Sequence, residues 1–287
     1  MSEMKYLLFM GCTIPYRLSS YEVSARKVLN NLGVKLVEMP EFNCCGLPMD
    51  IVNHDLMLTL SARNICIAER EGLNILALCN GCFSTLNETN KILKEDRETR
   101  EKVEKYLAEN NMSYKGTIDV KHLVHVLAED VGYEKIKGTV KKPLNQVSVA
   151  QHSGCHILRP SKYVGRDDPE NPTMLKNLIK LTGAQCLNYA GETECCGNPI
   201  IGVNEEIPFQ LAREKLNNVK AVGAQALITV CPFCHVMFDA NQSRIERAFN
   251  EKYNMPVLHY TQLLGLAMGF TQEELGISEL RVKPTIF

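Results

Sequence analysis

Ten cysteines that form one pattern written twice constrain this chain of 287 residues more than any other feature. In the first copy, Cys12 is followed after 31 residues by the doublet Cys44-Cys45, and after 33 more by Cys79-x-x-Cys82. In the second copy the two intervals are 39 and 34 residues. Its cysteines are Cys155, Cys195, Cys196, Cys231 and Cys234. Self-similarity over such a distance fixes the architecture, because each copy must fold into a similar unit.

The doublets are poor candidates for disulfides between neighbours. Cα atoms joined by a disulfide lie about 4.4–6.8 Å apart, whereas those of adjacent residues lie about 3.8 Å apart. The N-terminal apolar run YLLFM is too short for a signal peptide, and no segment approaches the roughly 20 apolar residues of a membrane span. We therefore expect a cytoplasmic protein without a membrane span, where many cysteines indicate metal or redox chemistry. The formal net charge of −1 gives no indication of a nucleic-acid partner.

The residues around the cysteines predict the fold class. Short runs rich in Val, Leu and Ile deliver a cysteine in each copy, as in YLLFMGC (6–12) and VSVAQHSGC (147–155). Apolar residues at helical spacing lie between these runs, for example Phe209, Ala212, Leu216, Val219 and Val222. Strands that are apolar throughout and alternate with helices are typical of α/β folds with parallel sheets. We predict two Rossmann-like α/β lobes related by a pseudo-two-fold axis, residues 1–140 and 141–287, with metal at the strand ends.

Two insertions distinguish the copies. The first copy has 15 extra residues within the charged run 91–116, which we interpret as a solvated helix. The second has eight extra residues in the loop 156–172, which directly follows Cys155. Loops after the strands of α/β folds commonly carry function.

The number of cysteines in each copy narrows the choice of metal. The thiolate is the ligating form, and sulfur-only sites select zinc or iron–sulfur clusters. A structural zinc takes four ligands, and a cubane four-iron cluster takes one thiolate per iron. Five cysteines leave one over in each copy. Either a thiolate bridges two metals or the cluster is not a simple cubane, and adjacent cysteines suit bridging.

The doubled pattern, with a glycine after each doublet, resembles the cysteine-rich CCG domain family. Two copies on a chain of this length are similar to the B subunits of heterodisulfide reductases of methanogenic archaea. The resemblance implies two non-cubane [4Fe-4S] clusters, one held by each set of five cysteines. It also implies reduction of the coenzyme M–coenzyme B heterodisulfide to two thiols, by homolytic cleavage of the disulfide between the two clusters.

The resemblance implies further residues and partners. The substrate of that family carries a sulfonate, a phosphate and a carboxylate, so basic side chains near the cysteines are candidate anion ligands: Arg17, Arg159, Lys162 and Arg166, with Lys27 less favoured. His152 and His156 flank Cys155 and are candidate proton donors. Electrons would come from the small iron–sulfur C subunit of that family, fed by its flavin-containing A subunit and a hydrogenase or formate dehydrogenase, because no ferredoxin or dinucleotide motif is present in this chain.

Two histidines and two cysteines outside the repeated pattern are interpreted as structural residues. His122 and His259 align between the copies and are interpreted as structural, and Cys66 and Cys186 as free buried thiols.

Two alternative functions remain open from the sequence alone. The chain is an iron–sulfur subunit of another oxidoreductase, such as a succinate or lactate dehydrogenase or a thiol:fumarate reductase, or it is a non-catalytic zinc scaffold.

Overall fold

Eight short strands form two separate four-stranded sheets in the computed structural model, which describes residues 4–287. The first sheet contains β1 (Met4–Phe9), β2 (Val34–Val37), β3 (Ile75–Ala77) and β4 (Val120–His122). The second contains β5 (Ser148–His152), β6 (Gln185–Leu187), β7 (Ala226–Thr229) and β8 (Val257–His259). We call the part of the molecule built on the first sheet lobe 1, and the part built on the second sheet lobe 2.

The two sheets have the same strand order, and every pair of neighbouring strands is parallel. The orders are β2-β1-β3-β4 and β6-β5-β7-β8. In lobe 1, Leu7 pairs with Val37 on one side and Ile75 on the other. In lobe 2, Val149 pairs with Cys186 and Ala226 in the same way. The predicted pair of parallel α/β lobes is confirmed, while the division at residue 140 stays a prediction.

Helices cover both sheets. Those of lobe 1 are α1 (Ile14–Arg17), α2 (Ser19–Asn31), α3 (His54–Glu71), α4 (Asn80–Glu95), α5 (Arg97–Ala108), α6 (Leu123–His125) and α7 (Tyr133–Lys137). Those of lobe 2 are α8 (Ser161–Val164), α9 (Met174–Leu181), α10 (Glu206–Ala221), α11 (Pro232–His235), α12 (Gln242–Phe249) and α13 (Tyr260–Ala267). The π-helical segments Val126–Val131 and Val236–Ala240 continue α6 and α11, and 3₁₀ turns cover Leu47–Met49, Asn198–Ile200 and Ile277–Glu279.

The core follows from strands that are buried on both faces. Leu7, Ile75 and Leu76 are completely buried in lobe 1, as are Val149 and Leu227 in lobe 2. The predicted apolar stripe on α10 also faces the core, where Phe209, Ala212, Leu216 and Val219 are buried. Its last predicted member, Val222, is exposed instead, because α10 ends at Ala221. Parallel sheets need this double cover, because helical crossovers place apolar surface on each face.

The lobes contact each other mainly through α2 and α13. The Ser24 hydroxyl lies 2.7 Å from that of Thr261, and the Tyr21 ring stacks on His259 with centroids 3.7 Å apart. The segment after α13 extends this contact, since Lys27 forms a 2.6 Å ion pair with Glu274. The interface therefore includes buried polar and aromatic groups as well as a charged rim.

The charged insertion and the C-terminal segment form different structures. The run 91–116 contains the end of α4 and the separate helix α5, which buries only Val103 and Leu107. The Thr271–Glu274 capping contacts are present, with Glu274 N–H donating to the Thr271 hydroxyl at 3.2 Å. Turns and a 3₁₀ segment follow them in place of an α-helix, and Leu275 and Ile277 are completely buried.

Candidate metal centre

The strand order places cysteines where an α/β fold binds its ligands. In lobe 1 the chain passes from β1 to β2 on one side and then to β3 on the other, which opens a crevice beyond the carboxyl ends of β1 and β3. Cys12 follows β1 and Cys79 follows β3. In lobe 2 Cys155 follows β5 and Cys231 follows β7. Each topological switch point thus carries a cysteine from both of its strands.

The five cysteines of each copy line one cavity. The lobe 1 cavity is lined by Cys12, Cys44, Cys45, Cys79 and Cys82, and the lobe 2 cavity by Cys155, Cys195, Cys196, Cys231 and Cys234. Leu47 and Phe233 line both, so the cavities adjoin. The structure therefore brings together each predicted set of five and places the two sets side by side.

Each of the ten thiols lies close enough to the next to perturb its ionisation, so the side chains form one continuous row. Its order is Cys12, Cys44, Cys45, Cys82, Cys79, Cys231, Cys234, Cys196, Cys195 and Cys155. The central link joins Cys79 of lobe 1 to Cys231 of lobe 2. Each residue in one half of this row occupies the same place as its repeat partner in the other half. The two sets are in contact at their closest members.

Crowding of thiols favours the thiolate at some positions and disfavours it at their neighbours. Hydrogen bonds from Cys155 and then Cys196 lower the pKa of Cys195 to about 2. Hydrogen bonds from Cys234 and Cys79 likewise hold the pKa of Cys231 well below its ordinary value. The pKa of Cys155 is raised, first by its bond to Cys195 and then by burial. A metal cation would remove this conflict, since all the thiols could then ionise.

Glycines beside the cysteines leave room for a metal group bound to the thiols. Gly11 and Gly154 adopt φ of +70° and +80°, which favours glycine. A Cβ atom on Gly11 would lie 2.8 Å from Cys82 Sγ, and one on Gly154 would lie 3.4 Å from Cys234 Sγ. After each doublet, the Gly46 and Gly197 amides donate to Cys44 and Cys195 Sγ at 3.5 and 3.3 Å. Backbone amides aimed at sulfur are the outer contacts that a metal–thiolate site uses.

These residues fit a sulfur-ligated metal group. None of the twelve cysteines, all of which lie in the described range 4–287, forms a disulfide. Five clustered thiols with glycine-lined access suit zinc or iron–sulfur chemistry, and the geometry of the thiols alone does not distinguish the two. The ligand assignment itself stays a prediction.

The predicted histidines lie in different environments. His156 lines the lobe 2 cavity, and its Nδ1 lies 3.2 Å from Cys155 Sγ. His152 ends β5, is completely buried, and has a pKa lowered by burial to about 3. Such a neutral ring is a weak acid, so its placement argues against the proton-donor interpretation for His152. His122 and His259 are buried at strand ends, where His122 Nδ1 accepts from the Val124 amide at 3.2 Å.

None of the predicted anion ligands lines either cysteine cavity. Arg159 pairs with Glu170 at 3.2 Å, and Arg166 pairs with Glu129 at 2.7 Å. Lys162 lies over the ring of its neighbour Tyr163, and Arg17 is exposed at the end of α1. Two of the four side chains are thus engaged by carboxylates, and the anion-ligand hypothesis gains no support from their positions.

Several residues at the site were not predicted from the sequence. Leu47 and Phe233 separate the two cavities, and a hydrophobic residue beside a cysteine motif carries no distinctive signal. Tyr21 donates to the Val230 carbonyl at 3.3 Å and lies near Cys79 and Cys231. His235, which directly follows Cys234, stacks on His259 with centroids 4.1 Å apart. Only His235 had a signal, namely its position next to a ligand motif.

The two remaining cysteines lie outside the cavities. Cys66 is buried within α3, and burial raises its pKa to about 12. Cys186 is half-buried within β6, where burial raises its pKa to about 11. Both are protonated thiols at neutral pH, in agreement with the interpretation that they are free cysteines.

Comparison with known proteins places this geometry in a family. The cysteine-rich domain (CCG) matches residues 6–87 and 149–239. The chain is 37% identical over 279 residues to the B subunit of the ferredoxin/F420H2-dependent CoB–CoM heterodisulfide reductase of Methanosarcina acetivorans, covering 96% of this chain and 93% of that protein. It is 34% identical to the B subunit of the ferredoxin:CoB–CoM heterodisulfide reductase of Methanosarcina mazei, covering 97% and 94%.

Other similarities are broader. The chain is 33% identical to the 8-methylmenaquinol:fumarate reductase membrane anchor subunit of Wolinella succinogenes, covering 96% of each protein. The crystal structure of a hypothetical protein from Helicobacter pylori superposes with a TM-score of 0.79 at 17% identity, covering all of this chain and 53% of that one. That likeness concerns the fold alone, and the chain spans about half of that protein. Within residues 4–287, no helix combines the length and apolarity needed to span a bilayer.

Proposed function

The chain belongs to the cysteine-rich CCG domain family, among the B subunits of heterodisulfide reductases, and from this premise we propose that it reduces the coenzyme M–coenzyme B heterodisulfide. As an oxidoreductase subunit it would act inside a larger complex. The reaction consumes one disulfide, two electrons and two protons and yields two thiols. A non-cubane [4Fe-4S] cluster would be held in each lobe by the five cysteines that line its cavity.

One observation carries this proposal. The two five-cysteine cavities adjoin, share Leu47 and Phe233, and contact each other through Cys79 and Cys231. Bound iron–sulfur clusters supply one-electron chemistry, and a disulfide needs two electrons for its two sulfurs. Two adjacent redox sites of the same construction therefore match the symmetry of the substrate better than two distant ones would.

Side chains around the two cavities have further roles in the proposed reaction. Leu47 and Phe233 form an apolar wall between the cavities, which excludes water from the space around the thiolates. His156 lines the lobe 2 cavity beside Cys155 and is our proposed proton donor to a newly formed thiolate there. The residues Arg17, Arg159, Lys162 and Arg166 are kept as proposed anion ligands, which would require Arg159 and Arg166 to leave their carboxylate partners.

The electron supply is part of the proposal. The names of the relatives describe them as B subunits, so partner subunits are expected. We assign the role of electron donor to a small iron–sulfur C subunit, supplied by a flavin-containing A subunit and a hydrogenase or formate dehydrogenase. We also propose a cytoplasmic location, because thiols stay reduced in that compartment.

The test begins with metal analysis of protein prepared without oxygen. About eight iron and eight acid-labile sulfide per chain, without zinc, are expected for two four-iron clusters. The iron-loaded protein, given electrons by a reduced low-potential dye, should then convert the coenzyme M–coenzyme B heterodisulfide to equal amounts of the two thiols. One or two zinc ions with little iron would contradict the proposal and favour a scaffold.

A second function is favoured by one relative. The similarity to the membrane anchor subunit of the 8-methylmenaquinol:fumarate reductase is 33% over 277 residues, close to that of the heterodisulfide reductase subunits. Iron-loaded protein that leaves the heterodisulfide intact, but exchanges electrons with a quinol analogue, would identify a CCG subunit of another oxidoreductase. The same preparation serves both assays.

A further inference from the structure

The surroundings of the two cysteine sets are unequal, although the sets themselves match. The last residue of β1 is Phe9 and the last residue of β5 is His152, and each lies three positions before the first cysteine of its set. Nineteen residues after the second cysteine of each doublet, lobe 1 has Asn64 and lobe 2 has Lys215. At two equivalent places, lobe 2 therefore carries a nitrogen base and a cation where lobe 1 carries a phenyl ring and an amide.

His152 is directed at the thiols of lobe 2. The nearest ring nitrogen of His152, Cys196 Sγ and Cys234 Sγ all lie within 4.8 Å of one another. The His152 side chain is completely buried, and neither ring nitrogen has a hydrogen-bond partner of ordinary geometry, although the Glu192 carbonyl lies nearby. A buried polar group without a partner is costly, so an unpaired imidazole that faces two ligand thiols indicates a contact with whatever those thiols hold.

Lys215 adds positive charge on the same side. Only 2% of its surface is exposed, and its ammonium group donates to the carbonyls of Gly191 and Glu192, the latter at 3.2 Å. It also lies over the ring of Tyr189. Burial lowers the pKa of Lys215 to about 8, against the opposing effect of Cys234 and Cys196, so the side chain stays charged at neutral pH. In lobe 1 the amide of Asn64 instead donates to the Cys44 carbonyl at 3.2 Å and carries no charge.

We propose that the lobe 2 cysteine site has the higher reduction potential of the two, because His152 and Lys215 lie beside it where lobe 1 has Phe9 and Asn64. The inference rests on the proposed function, that is, on an iron–sulfur cluster in each lobe. Reduction adds one negative charge to a site already rich in thiolate. A buried imidazole that faces the thiols and a nearby ammonium group stabilise that added charge, and both raise the potential of an iron–sulfur site. An electron entering the protein then rests in lobe 2.

The test uses spectroscopic redox titration of iron-loaded protein in which one site has been removed. Cys196→Ala leaves the lobe 1 site and Cys45→Ala leaves the lobe 2 site, so each midpoint potential is measured without the other signal. The midpoint potential of the Cys45→Ala protein should be higher than that of the Cys196→Ala protein. Equal midpoints, or a higher midpoint in the Cys196→Ala protein, would overturn the inference while the iron content still supports the proposed function.

The causes are tested by exchanging the residues between lobes. His152→Phe and Lys215→Asn, each made in the Cys45→Ala background, should lower the lobe 2 midpoint, and the double exchange should bring it close to the lobe 1 value. His125→Gln is the matched control, because it removes a buried histidine of lobe 1 that lines neither cysteine cavity and introduces the residue found at the equivalent Gln262.

Each remaining outcome is decisive. Unchanged lobe 2 midpoints in both exchanged proteins, with iron retained, would overturn the assignment to His152 and Lys215. Loss of iron on His152→Phe would leave the comparison of the two single-site proteins as the deciding measurement. Wild-type protein that binds no iron would overturn the proposed function, and this inference with it.

Discussion

Lobe 1 and lobe 2 repeat the same backbone plan around different side chains. Strand order, the positions of five cysteines, and the glycines Gly11 and Gly154 are common to both. The positions just outside the cysteines differ, as in Phe9 and His152, or Phe83 and His235. The cysteine positions leave little freedom, because the five thiols of each lobe line one cavity. The surrounding shell is free to vary, and it determines how the two sites differ electrostatically.

The lobe interface belongs to both sites at once. Asn80 of lobe 1 donates from its side chain to the Ser153 carbonyl at 2.6 Å, and its backbone amide stabilises the Cys231 thiolate of lobe 2. The equivalent residue in lobe 2 is Pro232, which has no backbone N–H to donate. Lobe 1 therefore gives a backbone amide to the lobe 2 site, whereas Pro232 of lobe 2 cannot give one to the lobe 1 site. At the contact between the lobes, these equivalent residues do not follow the pseudo-two-fold symmetry.

Removing one ligand should give the largest effect and separate the lobes. Cys45→Ala or Cys196→Ala should each halve the iron and acid-labile sulfide per chain, because each disrupts only its own set of thiols. Metal analysis of anaerobically prepared protein checks this. Cys66→Ala is the control and should retain both sites, since that thiol lies within α3 outside the cavities. Loss of iron from the control would contradict the ligand assignment.

Tyr21 tests the contact between the lobes. Its completely buried ring stacks on His259 at 3.7 Å, so Tyr21→Ala should lower the free energy of unfolding by roughly 3–5 kcal/mol. Tyr21→Phe keeps the ring and loses only the hydrogen bond to Val230, which is worth about 1 kcal/mol. Urea denaturation of the two variants measures both. Equal losses in the two variants would show that stacking does not hold the lobes together.

Glycine substitutions should affect the lobes unequally. Both Gly11→Ala and Gly154→Ala place a side chain at positive φ, which costs about 1–2 kcal/mol. At Gly11 the new Cβ would lie 2.8 Å from Cys82 Sγ, a single atom at the end of a short side chain. At Gly154 it would lie 2.5 Å from Asn80 Nδ2, which should break the bond to Ser153 and add about 1 kcal/mol. Gly154→Ala should thus be the less stable variant in urea denaturation. The reverse order would show that the lobes do not share this support.

His125 gives the smallest effect, and it depends on pH. Burial, then the charges of His122, Arg166 and Lys121, lowers its pKa from 6.5 to about 2. The unfolded chain binds a proton below pH 6.5 that the folded chain does not, so stability falls as the pH falls from 6.5 towards 2.

His125→Gln removes this contribution. The difference in unfolding free energy between wild type and variant should shift in favour of the variant by about 1.4 kcal/mol per pH unit below pH 6.5. Urea denaturation of both proteins at pH 7.5, 6.5 and 5.5 measures the difference, and acid loss of metal is common to the two. A difference that is constant with pH would mean that His125 is protonated in the folded protein.

Much of the fold follows from the repeat. Residues 6–12 and 147–155 are apolar runs that end in a cysteine, and β1 and β5 lie within them. The apolar stripe of α10 and the structural role of His122 and His259 were also predictable, because helical spacing and strand ends are local properties. The turns after Thr271 follow less directly from the sequence, because they are held by the burial of Leu275 and Ile277.

The surroundings of the site leave less signal in the sequence than the cysteines do. Basic residues near cysteines suggested anion ligands, but Glu129 and Glu170 hold Arg166 and Arg159 in ion pairs. Glu129 precedes Arg166 by 37 residues, and no sequence pattern links the two. His152 suggested a proton donor because it lies near Cys155 along the chain. Strand β5 instead directs it inward, where burial keeps it neutral.

The sequence by itself determined two similar parallel α/β lobes and the grouping of ten cysteines into two sets of five. These depend on spacing along the chain and on the rule that parallel strands deliver their carboxyl ends to one edge. Only the tertiary structure decided that the two cavities adjoin, that Cys79 contacts Cys231, and that His152 faces the lobe 2 thiols. The relative placement of the lobes depends on how α2 packs against α13, and close packing between distant segments leaves no periodic trace in a single sequence.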